Sequence, residues 1–501
     1  MGNFGKMISD MRVVFRSGRT KGVEWRVAQL TALLKLLDDN TDNLCDALYK
    51  DLRKHKMESA IMEMNVTKND IVLALNNIHN WMKPAQVDRD LINKTNSAYV
   101  RYEPMGVTLV VGAWNYPVQL IFLPLVGAIA AGNCCILKPS EMAANVATMV
   151  EELIPKYMDQ ECIKVVNGGI PETTALLTER FDLVFYTGNS SVARIVMAAA
   201  AKYLTPVVLE LGGKSPVYID TGADIEVVAR RLLWGKYCNA GQTCIAPDYV
   251  MCSPETQEKL IEKVKDVLKE FFGENPKTSD SYGRIINERH FQRVKKLMEG
   301  ATVAVGGEVD EGEKYIAPTV LRDCKLTDIV MQEEVFGPLM PIVTVRDHNE
   351  ALNIINDREK PLAMYIFSND KDVIRDLKEG TSSGSLLVND TVVQAGLCTL
   401  PFGGVGNSGM GAYHGKFSFD AFSHKRAVME KSLGMEAVNA LRYPPYTDKK
   451  LSWIQWLTVK KPRRGGILGF FPFLILGALL AIFMKLLYPQ KNMLSRWLWS
   501  E

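Results

Sequence analysis

Apolar residues recur at helical spacing across residues 26–53 (Leu30, Leu33, Leu34, Leu37, then Leu44 and Leu48), a pattern that predicts two amphipathic helices. From residue 107 the texture changes. Residues 107–111, 134–137 and 183–186 are short β-branched or apolar runs, and each ends in turn-forming residues. Residues 117–131 are apolar nearly all round, which is the signature of a buried helix. Residues 192–201 read as a helix, as do 223–234 and 258–272, and residues 248–252 read as a strand between the last two. Strands alternating with helices specify βαβ units and a mostly parallel sheet. Two such layers in succession predict two α/β domains of similar size with a cleft between them. No repeat of fixed period interrupts the pattern.

The two ends differ. Residues 465–484 (GGILGFFPFLILGALLAIFM) are twenty residues without a charge. As a helix they span about 30 Å, the thickness of a hydrocarbon core. Lys460, Lys461, Arg463 and Arg464 precede them, which sets the N-terminal side in the cytosol. We expect a C-terminal transmembrane helix at 465–485, reached through a basic linker at 446–464. Pro472 fits a kinked or hairpin anchor as well as a full span, and a buried core helix or an oligomer contact is the competing reading. The N-terminus has no apolar signal region, and Lys6 stands where myristoylation calls for Ser or Thr.

With 47% hydrophobic and 23% charged residues among 501, the chain is not disordered. Its net charge of +2 gives no field that would recruit nucleic acid. Nine scattered cysteines without a Cys-x-x-Cys pair exclude a disulfide scaffold, a zinc ribbon and thioredoxin-like chemistry, and the six histidines have no metal-site spacing.

Several stretches carry candidate chemistry. Cys244 ends Asn239-Ala240-Gly241-Gln242-Thr243-Cys244, where small residues let the backbone turn and a substrate approach the sulfur. Taken alone, the stretch favours a structural cysteine over a nucleophile. Glu210, at an apolar strand end before Gly212-Gly213, fits a general base of raised pKa or a buried ion pair. Asn115 fits an oxyanion donor, or simply a turn former. Thr187-Gly188-Asn189-Ser190-Ser191 between strand and helix fits a phosphate site, although no G-x-G-x-x-G stands there. Lys138 and Glu141 fit a ribose grip or an ordinary surface pair.

Together, seven stretches resemble, in order, the motifs of the aldehyde dehydrogenase superfamily. They are Trp114-Asn115-Tyr116-Pro117, Lys138-Pro139-Ser140-Glu141, Thr187-Gly188, Glu210-Leu211-Gly212-Gly213-Lys214, Gly241-Gln242-Thr243-Cys244, Glu334-Val335-Phe336-Gly337-Pro338 and Pro401-Phe402-Gly403-Gly404. The resemblance spans roughly residues 5–440. The short N-terminal arm and Tyr413-His414-Gly415-Lys416 look like the class 3 branch, and with the hydrophobic tail the chain is similar to its membrane-bound fatty aldehyde dehydrogenases.

The resemblance implies an α/β fold with a Rossmann-like NAD-binding domain (1–80 and 101–209) and an α/β catalytic domain (210–392). It also implies a small β bridging or oligomerisation segment (81–100 and 393–445), hence a homodimer. It makes Cys244 the nucleophile, Asn115 with the Cys244 amide the oxyanion hole, and Glu210 the base for deacylation. Lys138 and Glu141 then hold the adenosine ribose, Gly188 lies by the pyrophosphate, Glu334 binds the nicotinamide ribose and Phe336 packs by the nicotinamide. Glu334 is a second candidate proton acceptor. Asn189 replaces the Ser usual in its loop. The expected cofactor is NAD, with NADP admissible, no metal is expected, and the substrate is a medium- to long-chain aldehyde. Tyr116 and Val392-Val393 are expected to line its funnel, at an endoplasmic reticulum membrane. The competing readings are a dehydrogenase of aromatic or other small aldehydes or of semialdehydes, a thiol hydrolase, and a catalytically silent scaffold.

Overall fold

Parallel strands dominate the two large sheets of the chain, whose computed structural model describes residues 4–460 apart from positions 91, 92, 95 and 435. The first sheet has six strands in the spatial order Gly409–Met410, Val207–Glu210, Leu183–Thr187, Val107–Val111, Cys134–Lys138 and Ile163–Val165. Only the short Gly409–Met410 strand runs antiparallel. Val107–Val111, Cys134–Lys138 and Leu183–Thr187 are buried at every position, so they read as unbroken apolar runs rather than alternating ones. From Val107–Val111 the chain builds outward on one side through 134–138 and 163–165. It then crosses back to add 183–187 and 207–210 on the other side. The strand order therefore reverses at Val107–Val111 and Leu183–Thr187, the place where open α/β sheets bind ligands at their carboxyl ends.

The second sheet has seven strands, ordered Thr302–Val305, Thr319–Arg322, Leu339–Thr344, Tyr249–Cys252, Pro216–Ile219, Ala363–Phe367 and Ser385–Val388. All neighbours are parallel except the first pair. Separate hydrophobic clusters cover its two faces, one around Val217, Leu232, Val250 and Tyr365 and the other around Met251, Phe291, Leu339 and Ile366.

The helices lie close to the predicted positions, at Gln119–Ala131, Ser190–Ala201, Ile225–Tyr237 and Pro254–Phe272. One expectation is corrected, since residues 26–53 form a single helix, Val23–Leu52, not two. Leu37 and Leu44 are two turns apart, so the apolar stripe keeps its phase, and both are fully buried. The polar run between them contains no Gly or Pro, and it stays helical. Asn40 and Thr41 bond back to the carbonyls of Leu36 and Leu37, and Lys35 pairs with Asp39 at 2.8 Å. The buried Arg26 guanidinium fixes this helix to the body by donating to the Ala130 carbonyl at 2.9 Å.

Packing divides the chain into a large unit, Met1–Ala85 with Val100–Arg426, and a small one, Gln86–Tyr99 with the chain from Ala427 onward. Both large sheets belong to the large unit. The small unit carries the helix Asp448–Thr458. Among the described residues no helix is long and apolar enough to cross a membrane. The run expected to form the anchor, 465–485, lies outside the described residues.

Candidate active site

The nucleophile candidate sits on a strained loop. Asn239 and Ala240 hold φ values of 53° and 50°, in the left-handed region that side chains disfavour, and Gly241 follows at 75°. A side chain at Gly241 would collide with the Gly337 carbonyl. Gln242 holds the loop in this shape. Its amide donates to the Asn239 and Arg284 carbonyls at 3.0 and 2.9 Å, and its carbonyl accepts from the Ile286 amide. Cys244 emerges half-buried at the end, with its thiol free. Burial, and then the nearby carboxyls of Glu334 and Glu210, push the thiol up to about 12. The resting sulfur is therefore protonated at neutral pH and shares its surroundings with two acids.

The turn after Val107–Val111 is fastened to that loop at two points. The Tyr116 and Thr243 hydroxyls lie 2.8 Å apart, and the Asn239 amide nitrogen donates to the Asn115 carbonyl at 2.8 Å. Asn115 is buried. The Tyr116 ring lies 4.0 Å under the Lys54 ammonium. Of the other presumed funnel residues, Val392 is buried and Val393 is exposed.

Glu210 closes its strand with both carboxyl oxygens buried and without a hydrogen-bond partner. Burial holds this carboxyl well above the usual carboxylate range. Its main-chain carbonyl accepts from the Gly188 amide at 3.0 Å. Gly188 leaves no room for a side chain, because a Cβ there would collide with the Tyr186 hydroxyl. Beside it the Thr187 hydroxyl is buried without a partner. Asn189 plays a structural part, and its side chain caps the helix Ser190–Ala201 by accepting from the Val192 amide at 2.9 Å.

Glu334 packs so closely on Gly212 that any Cβ at 212 would collide with its carboxyl. Burial and nearby Asp248 push Glu334 up to about 8, against the opposing Gly213 amide, Lys214 and Arg293. Phe336, at φ 43°, sets its ring edge-on to Trp114 with centroids 5.4 Å apart. Lys138, buried at the end of its strand, donates to the Pro139 carbonyl at 2.6 Å and to Glu141 at 3.3 Å.

Cys244, Glu210 and Glu334 thus share one neighbourhood, with Gly188 joined to it through Glu210 and Phe336 through Trp114. Lys138 and Glu141 pair with each other at the carboxyl end of the adjacent strand Cys134–Lys138. These residues fit a dinucleotide. Bare backbone at Gly188, an unpartnered hydroxyl at Thr187 and a buried amine at Lys138 all stand at the carboxyl edge of the first sheet, beside its switch point.

Sequence reasoning missed the residues that hold this site together. Lys214, though inside a recognised motif, had no assigned role. It pairs with Asp248 and donates to the Val330 and Glu333 carbonyls at 2.9 Å each, while Asp248 accepts from the Val335 amide, so the loop bearing Glu334 is fixed. Arg293 holds the same loop through the Glu334 and Val335 carbonyls. Glu58 accepts from the Asn239 amide at 2.7 Å. Lys54 and Glu63 form a fully buried ion pair at 2.7 Å. Apart from Lys214, none of these lies in a motif that spacing alone would flag.

Known proteins resemble this chain over most of its length. The model of the aldehyde dehydrogenase family matches residues 3–428. Aldehyde dehydrogenase family 3 member B1 of Rattus norvegicus is 51% identical over 451 residues, covering 90% of this chain and 96% of that one. Family 3 member A2 of Mus musculus is 48% identical over 480 residues, covering 96% and 99%. A solved structure described as the substrate-bound state of Staphylococcus aureus AldH superposes with a TM-score of 0.88 at 41% identity, covering 91% of this chain and 99% of that one. The chain belongs to the aldehyde dehydrogenase family, with family 3 members among its relatives, and it is an aldehyde dehydrogenase.

Proposed function

We propose that this enzyme oxidises medium- to long-chain aliphatic aldehydes to carboxylic acids with NAD (NADP being admissible), on a membrane surface. The observation that carries the chemistry is the nearness of the half-buried free thiol of Cys244 to the buried and unpartnered carboxyl of Glu210. Lys138 and Glu141 would hold the adenosine ribose, Gly188 the pyrophosphate, Glu334 the nicotinamide ribose and Phe336 the nicotinamide. When bound, the cofactor accepts the hydride that leaves the aldehyde carbon.

The chain's own residues do the rest. The Cys244 thiol passes its proton to a nearby carboxylate, for which Glu334 is a candidate, as the sulfur attacks the aldehyde carbon, and Asn115 with the Cys244 amide faces the oxygen on which negative charge develops. Once the acyl group is a thioester on Cys244, Glu210 takes the proton of an attacking water and the acid departs. Nucleophile and base act in different steps. Glu334 is a second candidate proton acceptor, raised by the same desolvation.

The substrate class rests on the uncharged run at 465–484 and the basic residues before it, which fit a bilayer anchor with the catalytic body in the cytosol. The alignment with the mouse family 3 member A2 covers a larger share of this chain than residues 1–460 make up, so part of that tail has a counterpart there. Long-chain aldehydes partition into lipid, each CH₂ favouring burial by about 0.8 kcal/mol, and an anchored enzyme meets them concentrated. The endoplasmic reticulum is the proposed location and a homodimer the proposed assembly. A chain-length series tests the reading. kcat/KM should hold or rise from about six carbons upward, and a steady fall, or preference for an aromatic aldehyde, overturns it. Full-length protein should float with vesicles, and protein cut after residue 460 should not.

A further inference from the structure

Lys54 and Glu63 are completely buried, and a buried ion pair is usually no more stabilising than apolar residues of the same volume. What sets this pair apart is where its hydrogen bonds go. The Lys54 ammonium donates to Glu63 at 2.7 Å and to the Asn115 main-chain carbonyl at 3.0 Å, and it lies 4.0 Å over the Tyr116 ring. The second oxygen of Glu63 accepts from the amides of Val118 and Gln119 at 2.9 and 3.2 Å, at the opening of the buried helix Gln119–Ala131. Every one of these contacts outside the pair itself falls on residues 115–119. The Asn115 carbonyl takes a second hydrogen bond from Asn239, whose own amide is held by Glu58. Two donors on one carbonyl fix the main chain from which the buried Asn115 side chain projects.

We propose that Lys54 and Glu63 are positioning residues. They form a desolvated ionic clamp that aims the Asn115 side-chain amide at the developing oxyanion and ties it to the Cys244 loop through Asn239. The clamp rests on Asn115 being the oxyanion donor. Neither member of the pair touches substrate, and their effect passes through Asn115. The pair is retained because an apolar filling would occupy the same volume while leaving the two helix amides without partners and the Asn115 carbonyl with Asn239 alone.

The test compares three forms of the full-length enzyme: Asn115→Ala, the charge-neutral Lys54→Met with Glu63→Gln, and all three changes together. The readouts are the pre-steady-state NADH burst rate at saturating aldehyde and cofactor, and the dissociation constant for NAD⁺. Asn115→Ala should slow the burst by about 10²–10³-fold. The clamp variant should slow it by about 10–100-fold while cofactor affinity stays within about twofold. In the Asn115→Ala background the clamp changes should cost nothing more, because groups acting through one donor are not additive. A merely structural role would multiply the two losses, and that outcome overturns the proposal. So does a clamp variant with a burst like that of the unmodified enzyme while Asn115→Ala is slow. If Asn115→Ala itself bursts normally, the oxyanion assignment falls and the clamp proposal with it. Glu63→Gln alone, which preserves volume and one acceptor, carries the same comparison should the double substitution fail to fold.

Discussion

The Gly188 amide donates to the Glu210 carbonyl at 3.0 Å, so the glycine loop at the end of one strand and the buried acid at the end of the next are one rigid piece. A Cβ at 188 collides with the Tyr186 hydroxyl, so either the buried Tyr186 ring or the loop itself must shift. Gly188→Ala should therefore raise the KM for NAD⁺ about tenfold or more and lower kcat in the same variant. Steady-state kinetics with varied cofactor checks this. A variant in which only the aldehyde KM changes would separate the loop from both roles.

Glu210 is the proposed base of the second half-reaction. Burial favours its neutral form, but a general base must be ionised. Turnover limited by deacylation should therefore climb with pH at values above the usual carboxylate range, as the carboxyl loses its proton. Glu210→Gln should remove that rise and lower steady-state turnover by about 10²-fold or more, while the NADH burst survives. Cys244→Ala should abolish both. Stopped-flow absorbance of NADH resolves the two phases. A Gln variant that loses its burst would place Glu210 in thiol activation instead.

Much of the fold was legible because parallel strands buried on both faces leave continuous apolar runs, as at Val107–Val111 and Cys134–Lys138. The strand Leu339–Thr344 was harder to find, because Pro341 inside it argues against a strand. The break expected near residue 40 arose from a polar run that the helix Val23–Leu52 carries on its outer face, and only the tertiary contacts of Leu37 and Leu44 show its phase to be continuous. The site divides in the same way. Cys244 and Glu210 sit in short motifs that stand out only when read together with the other stretches of the family resemblance. Lys54, Glu63, Lys214 and Arg293 act on main-chain groups of distant loops, and side chain to backbone bonds leave no pattern in sequence.

Burial first, and then the nearby Glu334 carboxyl, make the Cys244 thiol hard to ionise, which predicts a pH-dependent reactivity. The thiol is held up to about 12, in part by the Glu334 carboxyl, which itself ionises at about 8. Below pH 8 Glu334 is mostly neutral and repels a thiolate little, whereas above it the negative charge opposes one. Glu334→Gln should leave the rate of Cys244 alkylation by iodoacetamide unchanged near pH 6 and raise it about 3–10-fold near pH 9. Peptide mass mapping distinguishes position 244 from the other cysteines. Equal rates at both pH values would mean that the two groups are not coupled.

Asp70 provides a stability test away from the chemistry. It is fully buried. One oxygen accepts from the Gly415 amide at 2.6 Å and the other has no partner. Burial pushes this carboxyl up to about 7, against the opposing Gly415 amide and Cys398 thiol, from an ordinary value of 3.8. Between those two values the folded chain keeps a proton that the unfolded chain has released, so stability falls as pH rises through the window and levels off above it. Asn at this position retains the acceptor for Gly415 and cannot ionise. Asp70→Asn should therefore raise Tm at pH 8, for a gain on the order of a few kcal/mol, and have little effect at pH 4. Thermal unfolding of both proteins at the two pH values decides the matter. A variant destabilised equally at both would mean that Asp70 is held as a carboxylate by groups that more than offset its burial.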